Sequence, residues 1–559
     1  SHMWFGNYAT MKWWDDIWLN EGFATFIAYY TLPLIEKKSA FQNLDVKFLF
    51  YKQEALDMDA FESSHPVEQV VKDTEDASTI FDDITYCKSS GVIKHLMFLL
   101  GEEVFAKCLN KYFKQFAWKN SESNDFFRVI EENSVNLKKE TISKWVKDWI
   151  RTEGKITLEP TIEIKGNTLN LSIRKANSLK RITTNKTVDI NIKVLTKLNN
   201  KLHDISFQRI TLEDELTEVS IDSKTPLSKD NIAVVLNYND HAYADVIFDD
   251  ISLNFLMDNS EEIEPLVRGQ MFLSMVSNVK AAKLNPIILF DWIANEIRRE
   301  KIFYLNSEYL GFASRLVDYY LPQEVKKDCC AILFDALVES LKECNNQNDV
   351  NSEDHALLIQ EYIVNFAFSH ENILLLQGWV KREIPSLQNL TPSGIFLGRL
   401  FEEVIFRSEF SPKEKEQFLD MFISNHPYYS NLKKGALATF EEKCHFWEKF
   451  LKFDSSDSSH YAISCIMKGF NNPHDKNCEY FAKKFFEDVL YIFKNCEYEY
   501  ANVFFNNLFP KISNVDLIIE EVEKLLKTEE NLFNLKPLLE EKLYQTKIRK
   551  SLEKFHSKK

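Results

Sequence analysis

Hydrophobic residues recur at helical spacing through the first part of the chain. The pattern predicts a helix over residues 17–35, which either Asp15 or Asp16 can cap and which Pro33 is expected to kink or end. The same spacing predicts further helices over residues 40–57, 91–100, 102–116 and 141–151. We therefore expect residues 1–153 to form one mainly helical region.

Farther along the chain the spacing of apolar residues becomes alternating, as in strands that bury one face. Strands are predicted over residues 156–164, 168–173, 188–194, 232–236 and 243–248. Turn-forming residues separate some of them, at Gly166-Asn167 and at Asn199-Asn200. Short strands at this spacing are typical of a β-sandwich, which we expect to occupy residues 154–250.

The helical spacing returns after about residue 250 and persists to the end of the chain. Runs of roughly 12 to 20 residues are separated by short polar breaks. Because no single pair of such helices can bury its apolar face, they are expected to stack into one array. No crisp repeat motif accompanies them. Residues 251–559 are thus predicted to form an α-helical superhelical domain of the HEAT/ARM kind.

Charge and cysteine content exclude some classes of function. The formal net charge of -16 argues against a nucleic-acid partner or an anionic membrane surface, which favour basic proteins. No apolar run reaches the length of a membrane-spanning helix, so no membrane segment is expected. The nine cysteines include no Cys-x-x-Cys pair, which favours free thiols and a cytoplasmic location. Enzymes and binding proteins both remain open.

The chemistry is concentrated in residues 4–24, which contain Trp-Phe-Gly-Asn and then Trp-Leu-Asn-Glu-Gly-Phe-Ala. This segment resembles the one that follows the first two zinc ligands in the M1 family (gluzincin) of zinc aminopeptidases. There a His-Glu-x-x-His helix precedes both motifs, and the Glu of the second motif is the third zinc ligand, with 18 residues between it and the second His. In this chain 18 residues separate His2 from Glu21.

The resemblance implies that Glu21 is a metal ligand and aligns His2 with the second His ligand. Two histidines one helical turn apart can bind one zinc ion, and a carboxylate from a neighbouring helix completes the protein ligands while one position stays open for water. Without this context, Glu21 would be interpreted as an ordinary solvated helix carboxylate. The surrounding motif reverses that interpretation.

The beginning of the chain departs from the family pattern. Only Ser1 precedes His2, so the first His ligand and the general-base Glu have no place. Ser1-His2-Met3 also matches the remnant of a cleaved affinity tag before a start Met, which offers His2 an origin outside the native protein. We expect this chain to be the C-terminal portion of such an enzyme and to be inactive. Trp4 and Phe5 are expected to lose their packing partners and to be exposed.

A second resemblance covers residues 81–88, which match the family segment Phe-Asp-x-Ile-x-Tyr-x-Lys-Gly. In the family, the Tyr hydroxyl donates a hydrogen bond to the oxyanion that develops during catalysis, and Tyr86 is the matching residue. Without this context, Tyr86 would be interpreted as a core tyrosine. Ser89 stands where the family has Gly, so the local turn is expected to differ.

Two further residues are candidates for groups that orient the ligands, Asn7 and Asp16. For Asp16, helix capping is an equal or better interpretation. His65 could suggest a metal site, but the family has no ligand there, so we expect a structural role. The sequence does not assign residues that bind the substrate.

Taken as a whole, the resemblance implies a multidomain α + β protein. Residues 1–153 would be the C-terminal helical lobe of a thermolysin-like catalytic domain, residues 154–250 a β-sandwich, and residues 251–559 the superhelical domain. The implied function is a zinc metallo-aminopeptidase with one Zn²⁺ per protein, which removes N-terminal residues from peptides. The alternative is a non-catalytic helical-repeat binding protein, a pseudo-peptidase, and an epoxide hydrolase of the same clan is a weaker one. The oligomeric state is not predicted.

Overall fold

The computed structural model divides the chain into two compact units, Ser1–Asn278 and Val279–Lys559. It describes residues 1–35, 42–74, 80–134, 137–182, 185–346, 350–406, 411, 413–414, 416–417, 429–452, 459–470, 477–512, 514–528 and 534–555. The chain is multidomain and mostly helical, with several small sheets.

The first unit begins with helices and ends with helices. Its α-helices are α1 Ile17–Ile35, α2 Leu44–Met58, α3 Ser89–Leu100, α4 Glu102–Phe116, α5 Ser123–Asn133, α6 Lys139–Trp149, α7 Asp250–Asp258 and α8 Pro265–Lys280. The predicted bounds 17–35 and 102–116 are confirmed, while the other predicted bounds differ by a few residues. Residues 40 and 41, the start of one predicted helix, lie outside the described residues.

Most strands of this unit lie between α6 and α7, while the first precedes α1 and the second lies between α4 and α5. They are β1 Ala9–Met11, β2 Lys119–Ser121, β3 Ile156–Lys165, β4 Thr168–Asn177, β5 Val188–Leu198, β6 Lys201–Leu212, β7 Leu216–Asp222, β8 Ile232–Leu236 and β9 Asp245–Val246. One sheet has the order β7-β4-β3-β9 and another the order β6-β5-β8, while β1 and β2 pair in parallel. The predicted turns are confirmed, because Gly166, Asn199 and Asn200 adopt the positive φ angles that tight hairpins require.

The helices and sheets of the first unit share one apolar core. On β4, Leu169, Leu171 and Ile173 alternate inward and are buried, as the period of a strand requires. They belong to the same buried cluster as Trp18 of α1 and Trp149 of α6. The two regions predicted over residues 1–153 and 154–250 therefore lie in one compact unit.

One buried histidine, His95, and one half-buried histidine, His241, lie where α3 meets the sheets. The ring of His241 stacks on Phe98 with a centroid distance of 4.2 Å, and the guanidinium of Arg209 lies 4.1 Å from the same ring. His95 accepts a hydrogen bond at Nδ1 from the Trp145 indole. Burial, followed by the charge of Arg209, lowers the pKa of His95 to about 3. Burial, followed by the charge of a neighbouring lysine, lowers the pKa of His241 to about 4.

We expect this pair to make the first unit sensitive to acid. Unfolding exposes both rings and returns them to an ordinary pKa of about 6.5, so the unfolded state binds more protons than the folded state below that pH. The free energy of unfolding should therefore fall as the pH drops from about 6.5 toward 4, by up to about 1.4 kcal/mol per histidine per pH unit. Thermal unfolding midpoints between pH 7.5 and 4.5 measure this.

The variant His241→Phe keeps a ring against Phe98 and removes one of the two titrating groups, so its unfolding midpoint should depend less steeply on pH. The exposed His203 provides the matched control, and His203→Gln should leave the slope unchanged. A thermal unfolding midpoint that stays constant as the pH is lowered from 6.5 to 4.5 would contradict the prediction. So would an unchanged slope in His241→Phe.

The second unit is described as helical throughout. Its α-helices are α9 Pro286–Glu296, α10 Phe303–Arg315, α11 Gln323–Asn345, α12 Val350–Phe366, α13 His370–Val380, α14 Gly394–Phe406, α15 Tyr429–Leu437, α16 Phe440–Leu451, α17 His460–Met467, α18 Cys478–Asn495, α19 Tyr498–Leu508, α20 Val515–Leu526 and α21 Lys536–Leu552. Local sequence explains individual starts: Asn285 caps α9 ahead of Pro286, and Thr439 forms a capping box with Glu442 at α16.

An aromatic-rich core joins the last helices of this unit. Trp447, Phe485 and Phe504 belong to one buried cluster, and the rings of Phe485 and Phe504 stack at 5.9 Å. These aromatic side chains pack against partners that are distant in the sequence, and their contacts hold the apolar faces of these helices together. In the described part of the chain, no helix combines the length and the hydrophobicity needed to cross a membrane. All nine cysteines are free thiols.

Candidate active site

The Glu21 carboxylate lies at the edge of the buried face of α1. This helix follows a short 3₁₀ turn, Trp14–Asp16, and its apolar residues recur at helical spacing. Its buried positions are Trp18, Leu19, Gly22, Phe23 and Phe26. The Glu21 side chain retains 14% of its accessible surface, so it is shielded but still within reach of a ligand.

His2 and Glu21 lie together as two ligands of one metal ion would. His2 Nε2 is 3.5 Å from Glu21 Oε2. Two donors bound to one tetrahedral zinc at about 2.0 to 2.2 Å are separated by about 3.4 Å. The pair therefore fits a single zinc ion.

Asn20 orients the His2 ring. Its side-chain oxygen lies 2.6 Å from His2 Nδ1. Because that oxygen can only accept, Nδ1 carries the proton, and Nε2 presents its lone pair toward Glu21. Gly6, at a φ of +118°, leaves room for this contact, since a Cβ there would lie 3.2 Å from the Asn20 oxygen. Asn20 was not predicted from the sequence, although its place directly before Glu21 could have indicated a role beside the proposed ligands.

The packing of Phe5 anchors the segment that carries His2. Its ring stacks on Phe23 with a centroid distance of 4.0 Å, and only 2% of its surface is exposed. The expectation that Phe5 is exposed is therefore wrong, because Phe23 and Tyr112 supply its packing partners within this chain. Trp4 is 56% exposed, as expected.

Tyr86 faces Glu21 from a different helix. It lies in a short π-helix, Ile84–Lys88, a widened turn that is frequent at functional sites. The side chain of Asp82 accepts hydrogen bonds from the backbone N–H groups of residues 84 and 85 and so begins this turn. Burial, followed by the nearby Glu21 carboxylate, raises the pKa of Tyr86. The phenol therefore stays protonated near neutral pH and can donate a hydrogen bond.

A glycine allows the two helices to approach each other. A Cβ added to Gly22 would lie 2.4 Å from Ser89 Oγ and 2.8 Å from Ser89 Cβ, closer than atoms can pack. Gly22 thus brings the helix that carries Tyr86 against the helix that carries Glu21. At Ser89 the chain continues from the π-helix directly into α3, and a difference from the family's local turn stays a prediction. The Ser89 hydroxyl donates to the carbonyl of Thr85.

Comparison with known proteins bears directly on this arrangement. Residues 1–149 match the model of the peptidase family M1 domain. This part of the chain is similar to the peptidase family M1 domain.

Of three relatives of the chain, two match it over more residues than this domain has. The chain is 28% identical over 327 residues to the Tricorn protease-interacting factor F2 of Thermoplasma volcanium, covering 57% of this chain and 37% of the relative. It is 28% identical over 317 residues to the glutamyl aminopeptidase of Bitis rhinoceros, covering 50% and 32%. It is 37% identical over 147 residues to aminopeptidase M1-D of Oryza sativa subsp. japonica, covering 26% and 16%. The chain thus spans less than half the length of these relatives.

The two candidate orienting residues of the M1 motif make different contacts. Asp16 is buried, and its Oδ2 accepts a hydrogen bond at 3.0 Å from the backbone N–H of Ser123, the first residue of α5. This contact lies at the start of α5 and not at the start of α1, the helix that Asp16 was expected to cap, and burial raises the pKa of Asp16. Asn7 is exposed, and its backbone N–H donates to the carbonyl of His2 at 3.0 Å. A ligand-orienting role for either side chain stays a prediction.

His65 has a structural partner, as expected. Its Nε2 lies 2.6 Å from Asp82 Oδ2, and its Nδ1 lies 2.8 Å from the carbonyl of Pro66. Burial opposes the charged ring, but the hydrogen bond to Asp82, the charge of Asp82 and the hydrogen bond to Pro66 together outweigh burial and raise the pKa of His65. His65 therefore holds the residue that begins the π-helix.

We expect Gly22→Ala to push the two site helices apart. Overpacking of this kind costs roughly 1–3 kcal/mol of unfolding free energy. Adding Ser89→Gly removes both close atoms, so the two changes together should cost less than the sum of their separate effects. Thermal or denaturant unfolding of the four proteins in this cycle measures the coupling. Strictly additive costs would show that the contact does not limit how closely the helices approach.

Proposed function

We propose that this chain carries part of a zinc aminopeptidase centre, in which Glu21 and His2 are metal ligands and Tyr86 is the donor to the oxyanion. The observation that supports this best is the 3.5 Å separation of His2 Nε2 and Glu21 Oε2, with Tyr86 facing the same carboxylate. The reaction would be hydrolysis of the first peptide bond of a peptide, which releases its N-terminal residue.

The residues divide the chemistry between them. A zinc ion bound by His2 and Glu21 would supply a Lewis acid that polarises the substrate carbonyl. Tyr86, protonated at neutral pH, would donate a hydrogen bond to the carbonyl oxygen as negative charge develops on it, where such a donor helps most. Asn20 would keep Nε2 of His2 available as a ligand.

The domain assignment is part of this proposal. Residues 1–153 would be the C-terminal helical lobe of a thermolysin-like catalytic domain, residues 154–250 a β-sandwich, and residues 251–559 a superhelical domain. The element order supports it, since helices precede the strands and helices follow them. Peptides are the proposed substrates, in keeping with the aminopeptidase names of two relatives.

Zinc binding tests the proposed ligands. The chain should bind one Zn²⁺ at this site, and Glu21→Gln should abolish that binding because one of the two ligands is lost. Asn20→Ala should weaken it about 10- to 100-fold, the usual effect of removing a group that orients a metal-bound histidine. Isothermal titration calorimetry at pH 7.5 measures both effects.

A second group of possible zinc ligands must be weakened in every protein used for this titration. Glu54, Asp83 and Cys87 place three other ligand atoms within 4.8 Å of one another. Cys87→Ser in every protein removes the strongest zinc ligand of that group. His65→Gln, outside the proposed site, is the matched control and should bind zinc normally. Equal affinity with and without Glu21→Gln would sink the proposed ligand set.

We also propose that the 559-residue chain does not hydrolyse peptides by itself. No His-Glu-x-x-His sequence occurs in it, so the general base and one histidine ligand of the family pattern are lacking. When catalytic groups act as a unit, the loss of some of them abolishes the rate. Aminoacyl-coumarin substrates should give no zinc-dependent turnover. Turnover that a chelator stops and that Tyr86→Phe removes would contradict this.

A further inference from the structure

On the side of the π-helix away from Glu21, a lysine ammonium is completely buried. The side chain of Lys88 has no exposed surface, and its Nζ lies 2.8 Å from Asp59 Oδ2, which is equally buried. Residues two apart in a helix point in roughly opposite directions. Lys88 therefore anchors the back of the turn whose front carries Tyr86.

Asp59 connects this lysine to the region that follows the helices. It lies just after α2, and its Oδ1 accepts a hydrogen bond at 2.7 Å from the backbone N–H of Gly154, which precedes β3. The Tyr243 hydroxyl, in the segment between β8 and β9, donates to Oδ2 at 3.3 Å. Ser64 donates to Oδ1 as well. One carboxylate thus binds the π-helix, the linker and the sheet region at once.

The charges in this cluster hold one another in place. Lys186 is also buried, and it donates to the carbonyls of Thr152, Glu153 and Gly154. Burial opposes the charge of Asp59, but the two lysines outweigh it and lower the pKa of Asp59. Breaking a buried ion pair costs roughly 3–5 kcal/mol, because the remaining charge is left without a partner. The Lys88 ammonium consequently cannot leave Asp59 while the unit stays folded.

The Tyr86 side chain packs against the edge of the apolar core of the first unit. It is only partly buried, and Phe81, the ring beside it, lies 6.4 Å away between centroids and is itself exposed. Its hydroxyl can therefore face Glu21 reliably only if the backbone of the π-helix is held. Gly22 and Ser89 set how closely the two helices approach, but that contact carries no charge and no direction. The Lys88 ammonium supplies the missing constraint.

We propose that Lys88 and Asp59 are positioning residues: their ion pair fixes the rotation of the π-helix and so holds the Tyr86 hydroxyl against Glu21. Through Gly154 and Tyr243, the sheet region takes part in setting this position. The role for catalysis rests on the proposed function of Tyr86. The placement of the tyrosine does not, and it can be measured without zinc and without substrate.

The test uses NMR of the full chain with tyrosine labelled with ¹³C at the ζ carbon, in the zinc-free state. Tyr86→Phe identifies the Tyr86 signal by its loss. Glu21→Ala then gives the chemical shift of a Tyr86 that has lost its carboxylate neighbour. Asp59→Asn/Lys88→Met removes both buried charges but keeps an acceptor for Gly154. We expect it to move the Tyr86 signal to the position seen in Glu21→Ala.

A matched control separates positioning from general stability. Lys175 is another buried lysine of this unit, and its ammonium donates to the backbone carbonyls of Lys186 and Leu212 without contacting the π-helix. Lys175→Met should lower the unfolding midpoint and leave the Tyr86 signal in place. A folded Asp59→Asn/Lys88→Met protein with an unmoved Tyr86 signal would overturn the proposal.

Should the double variant fail to fold, Tyr243→Phe provides the test, because it removes one hydrogen bond of Asp59 and no charge. It should shift the Tyr86 signal in the same direction, by a smaller amount, and an unmoved signal would overturn the proposal. Failure of zinc binding at Glu21 would contradict the proposed function alone, since none of these signals depends on zinc.

Discussion

The close approach of α1 to the helix that carries Tyr86 is the contact on which the candidate site depends. Gly22 has no side chain, so Ser89 packs directly against the backbone of α1. Any larger residue would separate the helices by the size of a Cβ, and Tyr86 would then lie farther from Glu21. A hydrogen bond tolerates only a few tenths of an ångström of such movement. Chemistry at this site is thus limited by packing one residue away.

Contacts of different physical kinds hold the remaining parts of the site. Aromatic stacking of Phe5 on Phe23 anchors the first segment, and a hydrogen bond donated by His2 Nδ1 to the Asn20 side-chain oxygen sets the direction of the His2 ring. Non-directional packing thus places a segment, and a directional bond then orients the ligand atom on it. Each kind of contact does what the other cannot, which is why the site needs both.

The buried charges of this unit differ in their effect from the packing and hydrogen bonds described above. The cluster around Asp59 is costly to desolvate, so replacing it with apolar residues could stabilise the fold as well or better. Its advantage is specificity, because an ion pair with bound backbone groups permits only one arrangement of the π-helix, the linker and the sheet region. Two other buried ammonium groups of the unit are held by backbone carbonyl groups in the same way. They belong to Lys175 and Lys186. Fixed geometry is what the role proposed for Tyr86 requires.

The sequence alone predicted the residues that local patterns encode. Helical and alternating spacing predicted α1, α4 and the strands β3, β4, β5, β8 and β9. The motifs around Glu21 and Tyr86 indicated a resemblance to the M1 family, whose domain model matches residues 1–149. Only the tertiary structure decided which side chains meet. Three such contacts join segments that are distant in the sequence: Asn20 with the His2 ring, Phe5 with the core and Lys88 with Asp59. The spacing of residues along the chain carries no information about them. Their partners are selected by packing and by the cost of leaving a buried polar group unpaired, which only the folded chain determines.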